Sequence, residues 1–391
     1  MDIEDRIARR QRTGDRNRLV LDEDQLSPVW HPEEPIGRGP FIERLLDHFD
    51  PVFDGRAPPN AYLHGPGGAG KSAVTIALVD QLAASLSPPN DAVFTTTRGG
   101  SAPGVSFVYV DLRAADSAFE FSHGVLNALV AESVPRRGVG TEELRDRLER
   151  CVRGAGPVVV VADHVGEAET VDVPTVADRL DGIDGAFAWL AVGRSDPDAV
   201  DVPESAVDLD VEPYSRAALT DILAARADAG LGQGALSHSV IRRVAEWAEG
   251  DAGVALSALL GAVETAGEDD GSIRPNDVDA GMSAVPWPCV PLGRVLALPR
   301  NRVRTLVRLV GLAPEDRAPV GECAERIAER LDLTTSTVER FLYELAEAGI
   351  VERVRVSDSD GPGRPPSRVD PRFPTLAFRR LARRRIDETP A

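Results

Sequence analysis

The chain has 391 residues, 42% of them apolar and 27% charged, which is enough for two or three domains that each bury a core. No apolar run approaches the ~18 to 20 residues that span a bilayer, and the opening MDIEDRIARRQR has no signal-peptide core, so a cytoplasmic protein with no membrane partner is expected; Cys151, Cys289 and Cys323 are scattered with no C-x-x-C pair, which argues against a disulfide framework or a zinc site and leaves them as small core fillers. The net charge of −19 suits either an acidic face for a basic partner or a solubility device, and its dispersal along the chain favours the second, in a salt-loving host.

Residues 1 to 18 carry six arginines and few apolar groups, a basic arm that either touches nucleic acid or is a solvated tail. Residues 19 to 40, LVLDEDQLSPVWHPEEPIGRGP, are extended and punctuated by proline, and FIERLLDHF (41 to 49) supplies a short amphipathic helix. After a linker rich in Pro and Gly, the apolar Ala61, Tyr62 and Leu63 run into GPGGAGKS, and Ala73, Val74, Ile76 and Ala77 continue at helical spacing. Strand, glycine loop and helix in that order, with G-x-x-x-x-G-K-[ST] between, make a phosphate-binding loop. Gly65, Gly67, Gly68 and Gly70, with Ala69 among them, let backbone N–H groups turn inward on phosphates, and the helix opening at Lys71 to Ala73 points the positive end of its dipole at them. Lys71 is expected to reach the β and γ phosphates and Ser72 to hold Mg²⁺, so ATP or ADP with Mg²⁺ is the expected cofactor. Lys71 is also the only lysine among 44 basic residues, at the one place where a flexible point charge differs most from a planar fork.

Beyond a polar loop (87 to 104), VSFVYVDL (105 to 112) reads as a strand, and helices are expected around 117 to 132 and 141 to 153. PVVVVADH, Pro157 to His164, is a four-valine run closing on an acid, the pattern of a central parallel strand covered on both faces. Asp163 at its end is where a second Mg²⁺-coordinating group belongs beside a phosphate loop. AFAWLAVG (186 to 193) and a short strand at 206 to 209 continue the alternation, which gives an α/β fold with a doubly wound parallel sheet. From Ser215 onward the spacing is helical, over 215 to 228, 235 to 249, 252 to 266 and 275 to 282, an α-helical lid, and Pro286 to Pro291 marks the next boundary.

In the last segment Ala324, Ile327, Ala328 and Leu331 form one helical stripe, and Val338, Phe341, Leu342 and Leu345 a second, on either side of a turn at Asp332 to Ser336 with Thr and Ser available as N-cap. This is the layout of a winged helix-turn-helix. Its second helix is expected to present Thr335, Ser336, Thr337, Glu339, Arg340 and Tyr343 outward. IVERVRVSDSDGPGRPPSRVD (350 to 370) supplies two strands around a Gly/Pro loop, a wing carrying Arg353, Arg355, Arg364 and Arg368. Residues 300 to 385 hold 18 Arg against 13 Asp and Glu while residues 1 to 299 sum to −22, which makes duplex DNA the expected ligand of this segment, although such modules also dock proteins.

These parts, in this order, resemble the archaeal origin-recognition initiators, the AAA+ family related to the origin recognition complex subunit one and to the cell-division-cycle replication-loading factor. The likeness runs through nearly the whole chain: DEDQLSPVWHPEEPIGR, GPGGAGKS, FVYVDLRAADSAFEF with VPRRGVGTEEL, PYSRAALTDILAARADAG, and GDA-x-x-AL at 250 to 256. It implies an AAA+ core (19–212), an α-helical lid (213–285) and a winged-helix DNA-binding domain (292–386) after the basic arm (1–18). By that likeness the protein is an ATP-binding replication initiator at origin duplex DNA, nucleoid-associated, with paralogous initiators or a replicative helicase as partners and helix 117–132 also against the duplex. The likeness further sets Tyr214 against the adenine and Arg226 beside the nucleotide; taken alone, Tyr214 is an aromatic suited to packing.

The departures from the family matter as much. His164 follows Asp163 where the family has a glutamate that polarises water, and a histidine there either orients water or is structural. Ser195 stands at the sensor asparagine, Gly253 at the lid's phosphate-sensing arginine, and no arginine lies between Arg194 and Arg216 for a neighbour's nucleotide. Loss of an arginine finger alone costs ~10³ to 10⁵ in rate. The sequence therefore predicts a divergent paralogue of a halophilic archaeon that binds ATP·Mg²⁺ through Lys71, Ser72 and Asp163 and hydrolyses it poorly. A nucleotide-switched winged-helix transcription regulator, or a protein-interaction scaffold, are the alternatives.

Overall fold

The computed structural model describes residues 19–86, 104–115, 117–130, 132–153, 156–267, 271–355 and 367–388. The basic arm, most of the 87–104 loop and Arg364 lie outside these. The chain divides into two compact units, one spanning His31–Pro213 and the other combining the segment up to Trp30 with the chain from Tyr214 onward.

The first unit is a five-stranded, all-parallel sheet of β1 (Ala61–His64), β2 (Ser106–Asp111), β3 (Val158–Val165), β4 (Phe187–Gly193) and β5 (Val207–Asp210), in the order β2-β3-β4-β1-β5. The valine run explains why β3 lies inside this sheet. Val158, Val160 and Ala162 face one way, into a core with Phe121, Val125, Leu144, Leu148, Val176 and Leu180. Val159 and Val161 face the other, against Phe41, Leu45, Phe49, Val74, Leu78 and Leu82. The first set comes from helices α3 (Ala118–Leu129), α4 (Thr141–Val152) and α5 (Val173–Asp181), the second from α1 (Gly39–Phe49) and α2 (Lys71–Leu86), so the sheet is wound on both faces. Side-chain caps fix two of these starts: Ser117 accepts from the Glu120 N–H and Asp172 from the Thr175 N–H. In register, Asp163 of β3 stands opposite Val192 of β4, and Val192 opposite Leu63 of β1. The loops after β1, β2, β3 and β4 therefore share one edge of the sheet.

The second unit is helical: α6 (Arg216–Gly230), α7 (His238–Trp247), α8 (Ala252–Ala266), α9 (Pro275–Ser283), α10 (Leu292–Leu296), α11 (Arg300–Val310), α12 (Val320–Ala328), α13 (Thr335–Glu347) and α14 (Thr375–Glu388), with an antiparallel ribbon of β6 (Val351–Arg355) and β7 (Ser367–Pro371). Helix α8 is its axle. Every residue from Val254 to Val263 is buried, and α9 crosses it so closely that the Gly281 Cα lies against Ala258 and Ala262. A single hydrophobic core runs from Leu19 to Ala382, so the segments expected as a lid and as a separate C-terminal domain are packed together.

Residues 19–30, expected as the start of the sheet domain, belong to this helical unit. Leu19, Val20 and Leu26 are buried in its core, Val20 bridges antiparallel to Leu231, and the Leu21 and Asp22 N–H groups donate to the Gly230 carbonyl. Cys323 is buried, and Cys151 and Cys289 are half-buried. Among the described residues no helix is long and apolar enough to cross a membrane.

Candidate functional site

The loop from Gly65 to Ser72 joins β1 to α2 at the shared edge of the sheet. Three glycines are required by geometry. Gly65 has φ +144°, and a Cβ on it would lie 2.3 Å from the Val211 carbonyl oxygen; Gly68 and Gly70 are left-handed at +64° and +80°. Gly67 and Ala69 complete the turn, with Ala69 packed into the core beneath it. Lys71 is only 8% exposed, and its Nζ donates to the carbonyls of Gly65 and Pro66 at 2.6 and 2.8 Å. The ammonium thus sits over the mouth of the loop. Ser72 and Ala73 occupy the first turn of α2, half-buried, and Thr75 behind them donates to the Lys71 carbonyl. This cradle of glycines with a lysine over it, at a helix N-terminus, fits a nucleotide's phosphates.

Asp163 is 1% exposed, and both carboxylate oxygens are oriented, Oδ2 accepting from the Tyr109 hydroxyl at 2.7 Å and Oδ1 from the His164 N–H at 2.7 Å. Burial and the neighbouring Asp163 charge raise the Tyr109 pKa far above its ordinary value, so Tyr109 is a permanent donor. A carboxylate fixed in this way on the strand two places from the phosphate loop fits the outer contact of a Mg²⁺ ion.

His164 takes a left-handed conformation, φ +70°, where β3 breaks register between Asp163 and Val165. Its ring faces three acids: Nδ1 lies 3.6 Å from Asp163 and 3.6 Å from Glu167, and Nε2 lies 3.9 Å from Asp111. Glu167, which sequence reasoning missed, is the hub of this cluster. Arg113 grips it with two bonds, Nε to Oε2 at 2.8 Å and Nη2 to Oε1 at 2.9 Å, and both side chains are 9% exposed. Arg194, from the end of β4, approaches Oε1 through Nε at 3.2 Å. Burial alone would raise the Glu167 carboxyl, but the His164 hydrogen bond and the charges of Arg113 and Arg194 outweigh it and hold the group at about 2. Residues 113, 167 and 194 follow three different strands, and only the strand order brings them together.

Ser195 is half-buried, and its carbonyl accepts from the Tyr62 hydroxyl at 2.9 Å. Tyr214 and Arg226 belong to the helical unit. Tyr214 is buried in that core and its N–H donates to Gly250. Arg226 is 6% exposed; its guanidinium bonds to the carbonyls of Gln25, Ser27 and Trp30 and lies 4.8 Å over the Trp30 ring, and burial pulls its pKa down to about 10. Its donors thus fasten the N-terminal segment to α6. Gly253 opens α8 next to the Asp251 cap.

In the C-terminal part, α12, a turn and α13 are followed by the β6–β7 ribbon. Thr334 caps α13, accepting from Thr337 N–H, and its hydroxyl links to those of Ser336 and Thr337 at 3.1 and 2.8 Å; Thr335 is exposed. Arg340 is exposed, 5.3 Å over Phe341 and 3.7 Å from Glu344. Arg353 lies 4.7 Å over the Tyr343 ring, which ties the ribbon to the outer face of α13, and Arg355 is exposed beside it. Arg368 is held by Asp370 of its own strand, Nη2 to Oδ2 at 2.7 Å. The positive balance of the segment is also smaller in the folded chain than in the sequence. Arg379 and Arg383 pair with Glu264, Arg380 with Glu23, and Arg384 with Asp24, all acids from outside residues 300 to 385.

Two family models match the chain: "AAA ATPase domain" over residues 34–181 and "Cdc6 AAA+ ATPase-type lid domain" over 220–283. Among curated proteins it is 27% identical over 274 residues to ORC1-type DNA replication protein 1 of Sulfurisphaera tokodaii, covering 65% of this chain and 64% of that protein. It is 22% identical to ORC1-type DNA replication protein 10 of Halobacterium salinarum, covering 62% and 59%, so the chain spans about three fifths of the length of these relatives. With ORC1-type DNA replication protein 3 of Haloarcula marismortui, at 24% identity, coverage rises to 85% and 88%. Of solved structures, the Aeropyrum pernix ORC1 protein in complex with DNA superposes with a TM-score of 0.59 at 23% identity, over 94% of this chain and 97% of that one, and Cdc6p of Pyrobaculum aerophilum with 0.51 at 20%, over 95% and 99%. Those superpositions carry the fold alone. An ATPase-type sheet domain, a Cdc6-type lid and ORC1-type relatives from several archaea converge: the chain carries an AAA ATPase domain followed by a Cdc6-type lid and is similar to archaeal ORC1-type DNA replication proteins.

Proposed function

We propose that this protein is a nucleotide-binding DNA replication initiator that grips duplex origin DNA and turns its nucleotide over slowly. The observation that carries the reading is the built phosphate loop, with Lys71 over glycines held in left-handed geometry and the fixed Asp163 carboxylate on the same sheet edge. Lys71, Ser72 and Asp163 would hold ATP and Mg²⁺, the metal neutralising phosphate charge. The relatives' names support a replication role.

Slow turnover is supported by the groups around Asp163. Glu167 is a strongly held anion and a poor proton acceptor near neutral pH, and the His164 ring is engaged by acids. On the nucleic-acid side, α12, α13 and the β6–β7 ribbon have the layout of a winged helix. Arg340, Arg353 and Arg355 are then the phosphate contacts, with Thr335 and Ser336 at the start of the helix that meets base edges. Arg368, committed to Asp370, contributes less.

The reading is tested by fluorescence anisotropy on duplex DNA over a range of KCl concentrations. Each lost phosphate contact lowers the slope of log K against log salt by ~0.9. Arg340→Ala, Arg353→Ala and Arg355→Ala together are expected to flatten it by ~2 to 3, and Arg368→Ala to leave it nearly unchanged. Absence of duplex binding by the unmutated chain would remove the DNA half of the proposal.

A further inference from the structure

The surface of α13 is divided by its contacts. Val338, Leu342 and Leu345 are buried in the core. One flank, Phe341 and Glu344, meets α11, whose Arg302 pairs with Glu344 at 2.8 Å and lies 5.7 Å over the Phe341 ring. Ser336, Glu339, Arg340, Tyr343 and Glu347 recur at helical spacing on the remaining, outward side. Arg340 is drawn to the flank, toward Phe341 and Glu344.

Glu339 lies in the second turn of α13, the N-terminal part that reaches base edges in a helix-turn-helix, whereas Glu347 lies in the last turn. The Tyr343 hydroxyl donates to Glu339 Oε1 at 3.4 Å. The Tyr343 ring is covered in turn by the Arg353 guanidinium at 4.7 Å, and Arg353 Nη2 donates to the Ser367 hydroxyl across the ribbon at 3.3 Å. A line of contacts from β7 through β6 thus ends on the Glu339 carboxylate.

A carboxylate on the side of a helix that meets DNA is repelled by phosphates, so it is tolerated there only against a hydrogen-bond donor. In the major groove the donors are the amino groups of cytosine and adenine. Adenine sets its N7 acceptor beside that amino group, which repels a carboxylate, and guanine and thymine present acceptors; cytosine N4 is the match. The long bond from Tyr343 holds the carboxylate in place while leaving it able to take a shorter, charge-assisted bond.

We propose that Glu339 is a specificity-determining residue that accepts a hydrogen bond from cytosine N4 in the major groove, aimed by Tyr343 as a positioning residue. The proposal rests on the reading of α12, α13 and the β6–β7 ribbon as a winged helix on duplex DNA. It supplies a sequence preference that arginine contacts to phosphates cannot.

The test uses the full chain and a randomised duplex library at fixed KCl, with the bound duplexes sequenced, and anisotropy on one mixed-sequence duplex for the salt slope. The parent chain should enrich a motif in which one position is C·G, favoured about 5- to 30-fold over other pairs. Glu339→Ala should make that position alone degenerate and leave the rest of the motif and the salt slope as they are, because no phosphate contact is lost. Glu339→Gln should move the same position to A·T, since a carboxamide pairs with adenine N6 and N7. Tyr343→Phe keeps the ring beneath Arg353 and should weaken the C·G preference there about 2- to 5-fold, a change that a merely structural role would spread over the whole motif. If the parent binds duplex DNA and Glu339→Ala selects the same motif, with affinity equal or uniformly tighter, the carboxylate reads no base and the proposal is overturned. An unchanged motif in Tyr343→Phe overturns the positioning role alone. If the parent binds no duplex at all, the winged-helix reading falls and this proposal falls with it.

Discussion

Gly281→Ala is a substitution whose sign the structure decides. Alanine in place of glycine within a helix gains up to ~1 kcal/mol if there is room for the methyl group. At Gly281 there is none. A Cβ would stand 2.3 Å from the Ala258 carbonyl oxygen and 2.7 Å from the Ala262 nitrogen, both backbone atoms of α8. Ordinary contact needs about 1 Å more, so α9 must back away from the helix that the lid and C-terminal helices share. Overpacking of this kind costs ~1 to 3 kcal/mol, which outweighs the propensity gain and predicts a net loss of ~1 to 2 kcal/mol. The control is Gly124→Ala in the middle of α3, where no heavy atom lies within 4 Å of the added carbon and a gain of ~0.5 to 1 kcal/mol is expected. Because the chain has two units, hydrogen exchange read on the peptides of α8, α9 and α3 is the suitable assay. Gly281→Ala should speed exchange in α8 and α9, and Gly124→Ala should slow it in α3. Equal or slower exchange in the α8–α9 peptides of Gly281→Ala would refute the tight crossing.

Two further outcomes follow from buried charges. Arg226→Met leaves the carbonyls of Gln25, Ser27 and Trp30 without their donor and should cost roughly 2 to 4 kcal/mol, read as faster proteolysis within residues 19–30; unchanged cleavage would mean that the arginine does not fasten the segment. Glu167, held at about 2, has a depressed pKa, so its contribution is complete above the unfolded value near ~4.3 and is lost as pH falls from there through about 2. That contribution is at most ~3 kcal/mol. Stability of the parent chain should fall more steeply over this window than that of Glu167→Gln, and parallel curves would contradict the ion cluster.

The parts of the fold that were legible in the sequence are those carried by contiguous patterns. The valine run forecast a strand buried on both faces because its alternate residues meet two different helix layers, and GPGGAGKS forecast a strand-to-helix turn because three of its glycines adopt backbone geometry that other residues resist. The cluster around Glu167 was not legible. Arg113, Glu167 and Arg194 each look like ordinary loop charges, and they meet only because β2, β3 and β4 are neighbours. The assignment of residues 19–30 was likewise hidden, since it depends on an antiparallel bridge to Leu231 and on one buried arginine more than 190 positions away. Charge counting along the chain could not show, for a related reason, that Glu23, Asp24 and Glu264, distant in sequence, pair with arginines of α14.

The most direct test of the account is a map of the chromosomal DNA this protein occupies in its host, made for the parent chain and for Lys71→Ala. The account predicts one or a few sharp peaks at replication start sites, weakened or lost in the variant. Peaks scattered over promoters would contradict the initiator role in favour of a transcription regulator, and no enrichment anywhere would contradict DNA binding itself.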